Sequence, residues 1–167
     1  MIQVYTGNGK GKTTAAIGLA LRAVGAGMNV YIAQFVKGGC YSEIRALKKI
    51  RGIKVEQFGR NCFIKKVPEE EDCRLAAKGL EKVKKVIAQK KYRLVILDEI
   101  NIALKFKLIP LSVVLDLIRR MPRGSELVLT GRYAHPRIME SADLVSEVKE
   151  RKHYYRNGLK ARKGIEF

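Results

Sequence analysis

Cysteines are few in this chain, and long apolar runs are missing. Its 167 residues include three cysteines, Cys40, Cys62 and Cys73, with no C-x-x-C pair. That pattern excludes a disulfide framework and a four-cysteine zinc site, and it is typical of a reducing compartment. No stretch approaches the roughly 18 apolar residues of a membrane span, and no basic-then-apolar leader precedes the first apolar run. We therefore expect a cytoplasmic protein with no membrane partner.

Acidic residues and histidines are also scarce. Asp and Glu together number 16 against 34 Lys and Arg, which gives a formal net charge of +18. Such a charge predicts anionic ligands such as phosphates, nucleotides or nucleic acid, although a solvated lysine-rich surface would give the same count. The two histidines, His135 and His153, stand in no Ser/His/Asp pattern and no metal-ligand spacing. We interpret both as surface imidazoles rather than catalytic groups.

The residues that are present predict one α/β domain over 1–167. Apolar residues make up 47% of the chain, enough for a core, and short apolar runs alternate with helical patterns. This alternation predicts a mostly parallel sheet of about six strands with helices on both faces. The predicted strands are Ile2–Tyr5, Asn29–Phe35, Ile53–Phe58, Arg93–Leu97, Glu126–Thr130 and Asp143–Val148, with Leu159–Phe167 as an extension of the sheet. The predicted helices are Lys12–Ala26, Ser42–Ile50, Pro68–Gln89 and Leu111–Met121.

A glycine-rich loop follows the first strand and opens the first helix. Its sequence, TGNGKGKTT at 6–14, nearly matches the phosphate-binding pattern G-x-x-x-x-G-K-[ST], with Thr6 in place of the first glycine. The backbone amides of such a loop bind phosphate oxygens. We expect Lys12 to reach the terminal phosphates and to face solvent in the empty protein, and Thr13 to hold Mg²⁺. The ATP-binding residues predicted in this loop are Gly7, Asn8, Gly9, Lys10, Gly11, Lys12, Thr13 and Thr14.

Further charged residues follow two of the apolar strands. Asp98 and Glu99 come at the end of LVIL, at the edge of a parallel sheet where ligands bind, and a carboxylate there can hold a metal directly or through water. Arg132 follows the strand Glu126–Thr130 at the same edge, and Arg22 lies in the first helix. Either guanidinium could clamp phosphate oxygens or form a surface salt bridge.

These residues leave three functions open. One is a kinase or ATPase, with Glu99 as the base. Another is a nucleic-acid-binding module, because the C-terminal stretch interleaves cations with aromatic rings. That stretch contains Arg151, Lys152, Tyr154, Tyr155, Arg156, Lys160, Arg162 and Lys163. The third is suggested by a resemblance that covers nearly the whole chain.

The order of the motifs resembles the P-loop type of ATP:cob(I)alamin (corrinoid) adenosyltransferases. The segments that carry the resemblance are GNGKGKTTAA at 7–16, RAVG at 22–25, QFVKG at 34–38, LDE at 97–99, TGR at 130–132 and VSE at 145–147. His135 lies between TGR and VSE, and Lys152-His153 and the stretch from Gly158 to Ile165 follow VSE. The resemblance implies a RecA-like fold, a homodimer and, as a partner, a reductase or flavoprotein that supplies an electron. Nucleic acid is then not an expected partner.

The resemblance also implies a reaction and roles for the residues. The 5′-deoxyadenosyl group of ATP would move to the Co(I) centre of cob(I)yrinic acid a,c-diamide or cob(I)alamin, in cobalamin biosynthesis or salvage, releasing triphosphate. ATP would lie reversed across the loop, so that the loop holds mostly the terminal phosphate and Asn8 approaches the nucleotide. Lys12 and Arg132 would be catalytic, Arg22 and Arg132 would contact ATP, and Thr13 and Glu99 would hold Mg²⁺.

The chain departs from that family in two respects. The family's loop after the third strand carries a Phe-x-Trp pair that displaces the lower ligand of cobalt, whereas this chain has no Trp. The corresponding stretch here is NCFI at 61–64, so Phe63 is the candidate corrinoid-loop residue. The first strand also begins at Ile2, without the N-terminal arm that relatives often carry as a corrinoid lid.

Overall fold

Six strands form one sheet at the centre of the molecule, and every neighbouring pair is parallel. The computed structural model describes residues 1–39, 41–60 and 67–166. The strands lie in the order β3-β2-β4-β5-β1-β6. Parallel pairing brings the carboxyl ends of β1, β2, β4 and β5 to one edge of the sheet. The strands are β1 (Ile2–Thr6), β2 (Val30–Phe35), β3 (Ile53–Phe58), β4 (Leu94–Asp98), β5 (Glu126–Thr130) and β6 (Leu144–Glu147).

Helices cover both faces of the sheet, as predicted. One core joins Ile32, Ile96 and Val128 to α1 and α2, and a second joins Tyr31, Leu97 and the helices from α3 onward to the other face. Both faces of β2 and β4 are buried because of this double cover. In the described ranges, no helix is long and apolar enough to cross a bilayer. The helices are α1 (Lys12–Gly25), α2 (Ser42–Leu47), α3 (Glu70–Ala88), α4 (Ile100–Lys105), α5 (Leu111–Arg119) and α6 (Pro136–Glu140), followed by a 3₁₀ turn at Tyr154–Asn157.

The expected extension of the sheet at the C-terminus is wrong for the described residues 159–166, which form no strand. Leu159 and Ile165 are exposed there, since the cations between them leave no continuous apolar face to bury. β6 is therefore an edge strand, and all four of its residues are exposed. The third predicted helix begins at Glu70, so Pro68 precedes the N-cap rather than lying in the first turn. The predicted helices did not include α4 or α6.

One of the three cysteines lies among the described residues. Cys73 is a half-buried free thiol on α3. Cys40, Cys62 and the candidate corrinoid residue Phe63 lie outside the described residues.

Candidate functional site

A buried carboxylate, Asp98, organises the edge of the sheet beside the phosphate loop. Its Oδ1 accepts hydrogen bonds from the hydroxyls of Thr13, at 2.8 Å, and Thr130, at 2.7 Å. Its Oδ2 accepts from the Gln34 amide at 3.1 Å and from the Lys37 ammonium at 3.0 Å. The side chain is 2% exposed, so these donors take the place of water around the charge. Four separate elements are thereby tied to one carboxylate.

Lys37 lies among the polar groups of this edge. Besides Asp98, its Nζ lies 3.4 Å from Thr13 Oγ1 and 3.8 Å from Glu99 Oε1. Burial alone would lower the pKa of Lys37, but the charges of Asp98 and Glu99 outweigh it and raise that pKa. Burial raises the pKa of Glu99, although Lys37 opposes the shift. The ammonium is therefore held as a cation between two carboxylates.

Two residues at this edge have left-handed backbone conformations that non-glycine residues rarely adopt. Val36, just before Lys37, has φ 52°, and Glu99, at the N-cap of α4, has φ 60°. Such conformations cost on the order of 1–3 kcal/mol each, and they cluster at functional sites. The surrounding fold therefore holds Lys37 and Glu99 in place against local strain.

Lys12 is buried, so the expectation that it faces solvent is wrong. The residue is 7% exposed, and its Nζ donates to the carbonyl oxygen of Gly9 at 2.6 Å. Burial is the main cause that lowers the pKa of Lys12, and the positive charge of Arg132 adds to it. Because a buried ammonium that has lost water needs another hydrogen-bond acceptor, Lys12 bonds to a carbonyl oxygen of its own loop.

The chain after β6 lies directly against the glycine loop. The Gly9 amide donates to Val148 O at 2.7 Å, and the Val148 amide donates to Thr6 O at 2.8 Å. A Cβ on Gly9 would lie 2.8 Å from Val148 O and 2.9 Å from the Lys149 carbonyl carbon, closer than side-chain contacts allow. Gly9 is therefore required by a neighbouring backbone as well as by any phosphate.

The C-terminal segment also contacts the loop through side chains. The Lys10 ammonium donates to the Tyr154 hydroxyl at 2.7 Å and to Glu166 Oε1 at 2.8 Å. The Tyr154 hydroxyl donates to the same carboxylate, and the Arg162 amide donates to Glu166 Oε2 at 2.6 Å. The hydrogen bond from Lys10, followed by those from Tyr154 and Arg162, lowers the pKa of Glu166 well below its ordinary range. Part of the basic C-terminus is thus neutralised within the chain.

The remaining predicted site residues lie at different distances from this cluster. Arg132 is exposed just beyond β5, and its charge contributes to the pKa values of Lys12 and Glu99, so it faces the same space. Asn8 and Thr14 are exposed beside the loop, and Gly7 and Gly11 lie within it. Arg22 is exposed in the last turn of α1, roughly 15 Å along the helix from Lys12 at about 1.5 Å per residue. The described contacts therefore do not bring Arg22 to the loop.

Both histidines act as caps of short turns. His135 Nδ1 accepts from the Arg137 amide at 3.2 Å, and His153 Nδ1 accepts from the Tyr155 amide at 3.1 Å. Side chains of N-cap residues commonly accept backbone bonds in this way. The structure therefore agrees with the interpretation of both as surface imidazoles.

Three residues of the site were missed at the sequence level. Gln34 and Lys37 appear there only as letters of the QFVKG segment, and Thr130 only as the end of a strand and the first letter of TGR, all three without a role. A polar residue at the end of a strand that is otherwise continuously apolar was the available signal, because such a position points to the edge where ligands bind. For Lys37, which lies in a loop, spacing alone could not show that it turns back to Asp98.

A divalent cation would fit this edge. Among residues 1–39, 41–60 and 67–166, no group of three or more His, Cys, Asp or Glu could hold a metal. Any metal here would therefore depend on the Thr13 hydroxyl, the carboxylates of Asp98 and Glu99, and oxygens of a bound phosphate. These are the hard oxygen ligands that Mg²⁺ prefers, and Mg²⁺ is commonly bound by one or two carboxylates together with substrate phosphates.

Comparison with solved structures supports the RecA-like fold. The crystal structure of a KaiC-like protein from the hyperthermophilic archaeon Pyrococcus horikoshii OT3 superimposes with a TM-score of 0.57, covering 90% of this chain and 72% of that one at 17% identity. At this identity the likeness extends to the fold alone.

Comparison of sequences adds the family. The chain is 35% identical to the corrinoid adenosyltransferase of Escherichia coli K12, covering 100% of this chain and 85% of that protein. It is 37% identical to the corrinoid adenosyltransferase of a Sinorhizobium species, covering 100% and 80%. An uncharacterized Nostoc protein is 35% identical, and the chain spans 48% of its length. The model of the ATP:corrinoid adenosyltransferase BtuR/CobO/CobP family matches residues 1–167, and the chain belongs to that family.

Proposed function

We propose that this chain moves the 5′-deoxyadenosyl group of ATP to the Co(I) centre of a reduced corrinoid, cob(I)yrinic acid a,c-diamide or cob(I)alamin, and releases triphosphate. The observation that carries the proposal is the pairing of the glycine loop with Asp98 through the Thr13 hydroxyl, 2.8 Å from Oδ1, within a chain of the corrinoid adenosyltransferase family. That pairing sets the glycine loop beside the carboxylates of the sheet edge, as binding of a metal-bound phosphate would require.

The chemistry explains why the site needs no histidine or other general base. Co(I) is a nucleophile with no proton to lose: its electron pair forms the Co–C bond to C5′, and the C5′–O bond breaks with its electrons leaving on triphosphate. The protein's task is to align cobalt, carbon and oxygen and to stabilise the growing negative charge. Both histidines accept backbone hydrogen bonds as caps, which is consistent with a reaction that needs no general base.

Each charged residue has a role in this scheme. Lys12 leaves the Gly9 carbonyl for a phosphate oxygen, and Arg132 approaches the leaving triphosphate from the end of β5. Thr13 and Glu99 would hold Mg²⁺, with Asp98 fixing the Thr13 hydroxyl. When bound, the metal supplies positive charge to the triphosphate. The other predicted ATP contacts, from Gly7 through Thr14 and at Arg22, belong to the same proposal.

Several wider properties complete the proposal. The protein acts in the cytoplasm as a homodimer, in cobalamin biosynthesis or salvage, and a reductase or flavoprotein supplies the electron that gives Co(I). Phe63 takes the place of the Phe-x-Trp pair in the corrinoid loop. One domain over 1–167 carries the whole reaction.

The test is the identity of the products. Incubation with MgATP and a chemically reduced corrinoid should give a light-sensitive Co–C product and an equal amount of triphosphate. Both products are measured, by the visible spectrum before and after illumination and by anion-exchange chromatography. Release of ADP and phosphate without alkylated corrinoid would contradict the proposal and favour a kinase or ATPase.

A further inference from the structure

The ammonium group of Lys37 lies where a metal ion would be expected. It is 3.0 Å from Asp98 Oδ2 and 3.4 Å from Thr13 Oγ1, and 3.8 Å from Glu99 Oε1. The same three side chains form the oxygen set that fits a divalent cation. In this structure, therefore, the charge that balances the two carboxylates is supplied by the chain itself.

An ammonium ion and a metal ion cannot share this space. Mg²⁺ binds its oxygens at about 2.0–2.1 Å and requires a nearly octahedral set. Lys37 instead lies within hydrogen-bond distance of the Asp98 and Thr13 oxygens and forms a longer ion pair with Glu99. Two positive charges among the same few oxygens would also repel each other strongly in a partly buried site. Metal binding to these oxygens therefore requires Lys37 to leave them.

The backbone around Lys37 is held firmly, so its side chain must make that movement. A Cβ on Gly59, in the loop after β3, would lie 2.3 Å from Lys37 N and 2.5 Å from the carbonyl carbon of Val36. The loops after β2 and β3 therefore cross in direct backbone contact. Val36 is held at φ 52° beside this crossing. The flexible four-carbon stem of the lysine is the part that can turn.

We propose that Lys37 is an internal counter-ion that excludes free divalent metal from the site, and that only a metal arriving with a triphosphate replaces it. The triphosphate compensates the exchange because it brings negative oxygens to which the displaced ammonium can bind. Lys37 thus acts as a positioning residue that couples metal binding to nucleotide binding. This inference rests on the proposed metal role of Thr13 and Glu99, but it does not depend on the corrinoid reaction.

The experiment measures Mn²⁺ binding without nucleotide, by electron paramagnetic resonance of free Mn²⁺. Wild-type protein should bind Mn²⁺ only weakly at this site, with Kd in the millimolar range. Lys37→Met, which keeps the length of the side chain and removes its charge, should bind at least tenfold more tightly. Adding Asp98→Asn to that variant should abolish the gain. Lys84→Met removes an exposed lysine that pairs with Glu81 at 2.7 Å, and it should behave as wild type.

Three outcomes would overturn the proposal. The first is equal Mn²⁺ affinity in wild type and in folded Lys37→Met. The second is equal affinity in folded Lys37→Gln, which repeats the test with a side chain that still donates a hydrogen bond. The third needs no variant: wild-type protein binding Mn²⁺ with a micromolar Kd at the Asp98 site in the absence of nucleotide. None of these assays contains a corrinoid, so failure of the Mn²⁺ prediction would not contradict the proposed adenosyl transfer. Formation of ADP in the product assay would contradict the adenosyl transfer without affecting the role of Lys37.

Discussion

At the residue scale, contacts within the chain satisfy the charged groups of the site, and a ligand must exchange them. Lys12 bonds to Gly9 O at 2.6 Å, and Lys37 bonds to Asp98 at 3.0 Å. Each contact gives the ammonium of a buried or half-buried lysine a protein partner in place of water. Binding of a triphosphate therefore exchanges these contacts within the chain for contacts with phosphate oxygens. The net free energy of binding is then smaller than the number of new contacts suggests.

Lys12→Met should nevertheless reduce adenosyl transfer severely. The Lys12 ammonium lies buried within the glycine loop, bonded to Gly9 O, and by analogy with oxyanion donors its loss should lower kcat/KM by about 10²–10³. The fold should survive, since only the bond to Gly9 O is lost, at a cost of about 1–3 kcal/mol. Steady-state kinetics and urea unfolding measure the two effects, with Lys84→Met as the control. Normal transfer by the variant would mean that the triphosphate does not lie over Lys12.

At the element scale, the first turn of α3 is fixed to the end of β3. Asp72 Oδ2 accepts from the Glu69 amide at 2.9 Å. Arg60, just after β3, donates to both carboxylate oxygens of Asp72, at 2.8 and 2.9 Å, and Arg60 also donates to Glu69 at 2.6 Å. Asp72 is buried, so this pair is not a solvated surface contact. One carboxylate therefore caps the helix and holds the loop that leaves β3.

Asp72→Asn should destabilise the protein and change its response to acid. Loss of a buried charged partner costs about 1–3 kcal/mol, whereas Asp116→Asn, at exposed ion pairs with Arg119 and Arg120, should cost less than about 1 kcal/mol. Burial would raise the pKa of Asp72, but Arg60 outweighs it and lowers that pKa below the ordinary 3.8. This stabilisation is therefore complete above pH 3.8 and is lost as the pH falls through the lower native value.

Urea unfolding as a function of pH checks this prediction. The difference in unfolding free energy between wild type and Asp72→Asn should be full near pH 6 and shrink steadily below pH 4. An equal loss for Asp72→Asn and Asp116→Asn, or a difference that does not depend on pH, would contradict the role given to Asp72.

The strands and the glycine loop could be predicted because local pattern determines them. β3 and β5 begin and end at the residues that alternation and apolar runs indicate. α4 was missed because it follows Glu99, whose positive φ is fixed by its surroundings and leaves no local signal. The burial of Lys12 was missed for a related reason. Its ammonium donates to a carbonyl oxygen of its own loop, and that loop is covered by Val148, which is far away in sequence.

At the scale of the whole molecule, the C-terminal segment closes back onto the N-terminal loop. Val148 bonds to Gly9 and Thr6, and Glu166 bonds to Lys10. The basic stretch that suggested nucleic acid is therefore partly engaged with acids of the same chain, and Arg156 also pairs with Glu150 at 2.6 Å. Part of the net charge of +18 is therefore offset by ion pairs within the chain.

Glu166→Gln should loosen this segment. The carboxylate accepts bonds from Lys10, Tyr154 and Arg162, so its neutralisation weakens all three at once. Trypsin should cut after the basic residues at 151–163 several-fold faster than in wild type, as followed by mass spectrometry. Glu140→Gln, an exposed change on α6, serves as the control. Identical cleavage rates in Glu166→Gln and wild type would show that these contacts do not restrain the segment.

The hydrogen bond from the Gly9 amide to Val148 O makes the two sides of the glycine loop differ in the backbone donors that they offer. One amide of the loop is already committed to the edge of the sheet, so the donors left for a polyanion are those that follow it, on the side of α1. The opposite side is closed by main chain that no side-chain rotation can remove. A triphosphate bound as we propose would therefore enter from the α1 side and lie against this main chain, which would set the direction in which the rest of the nucleotide extends.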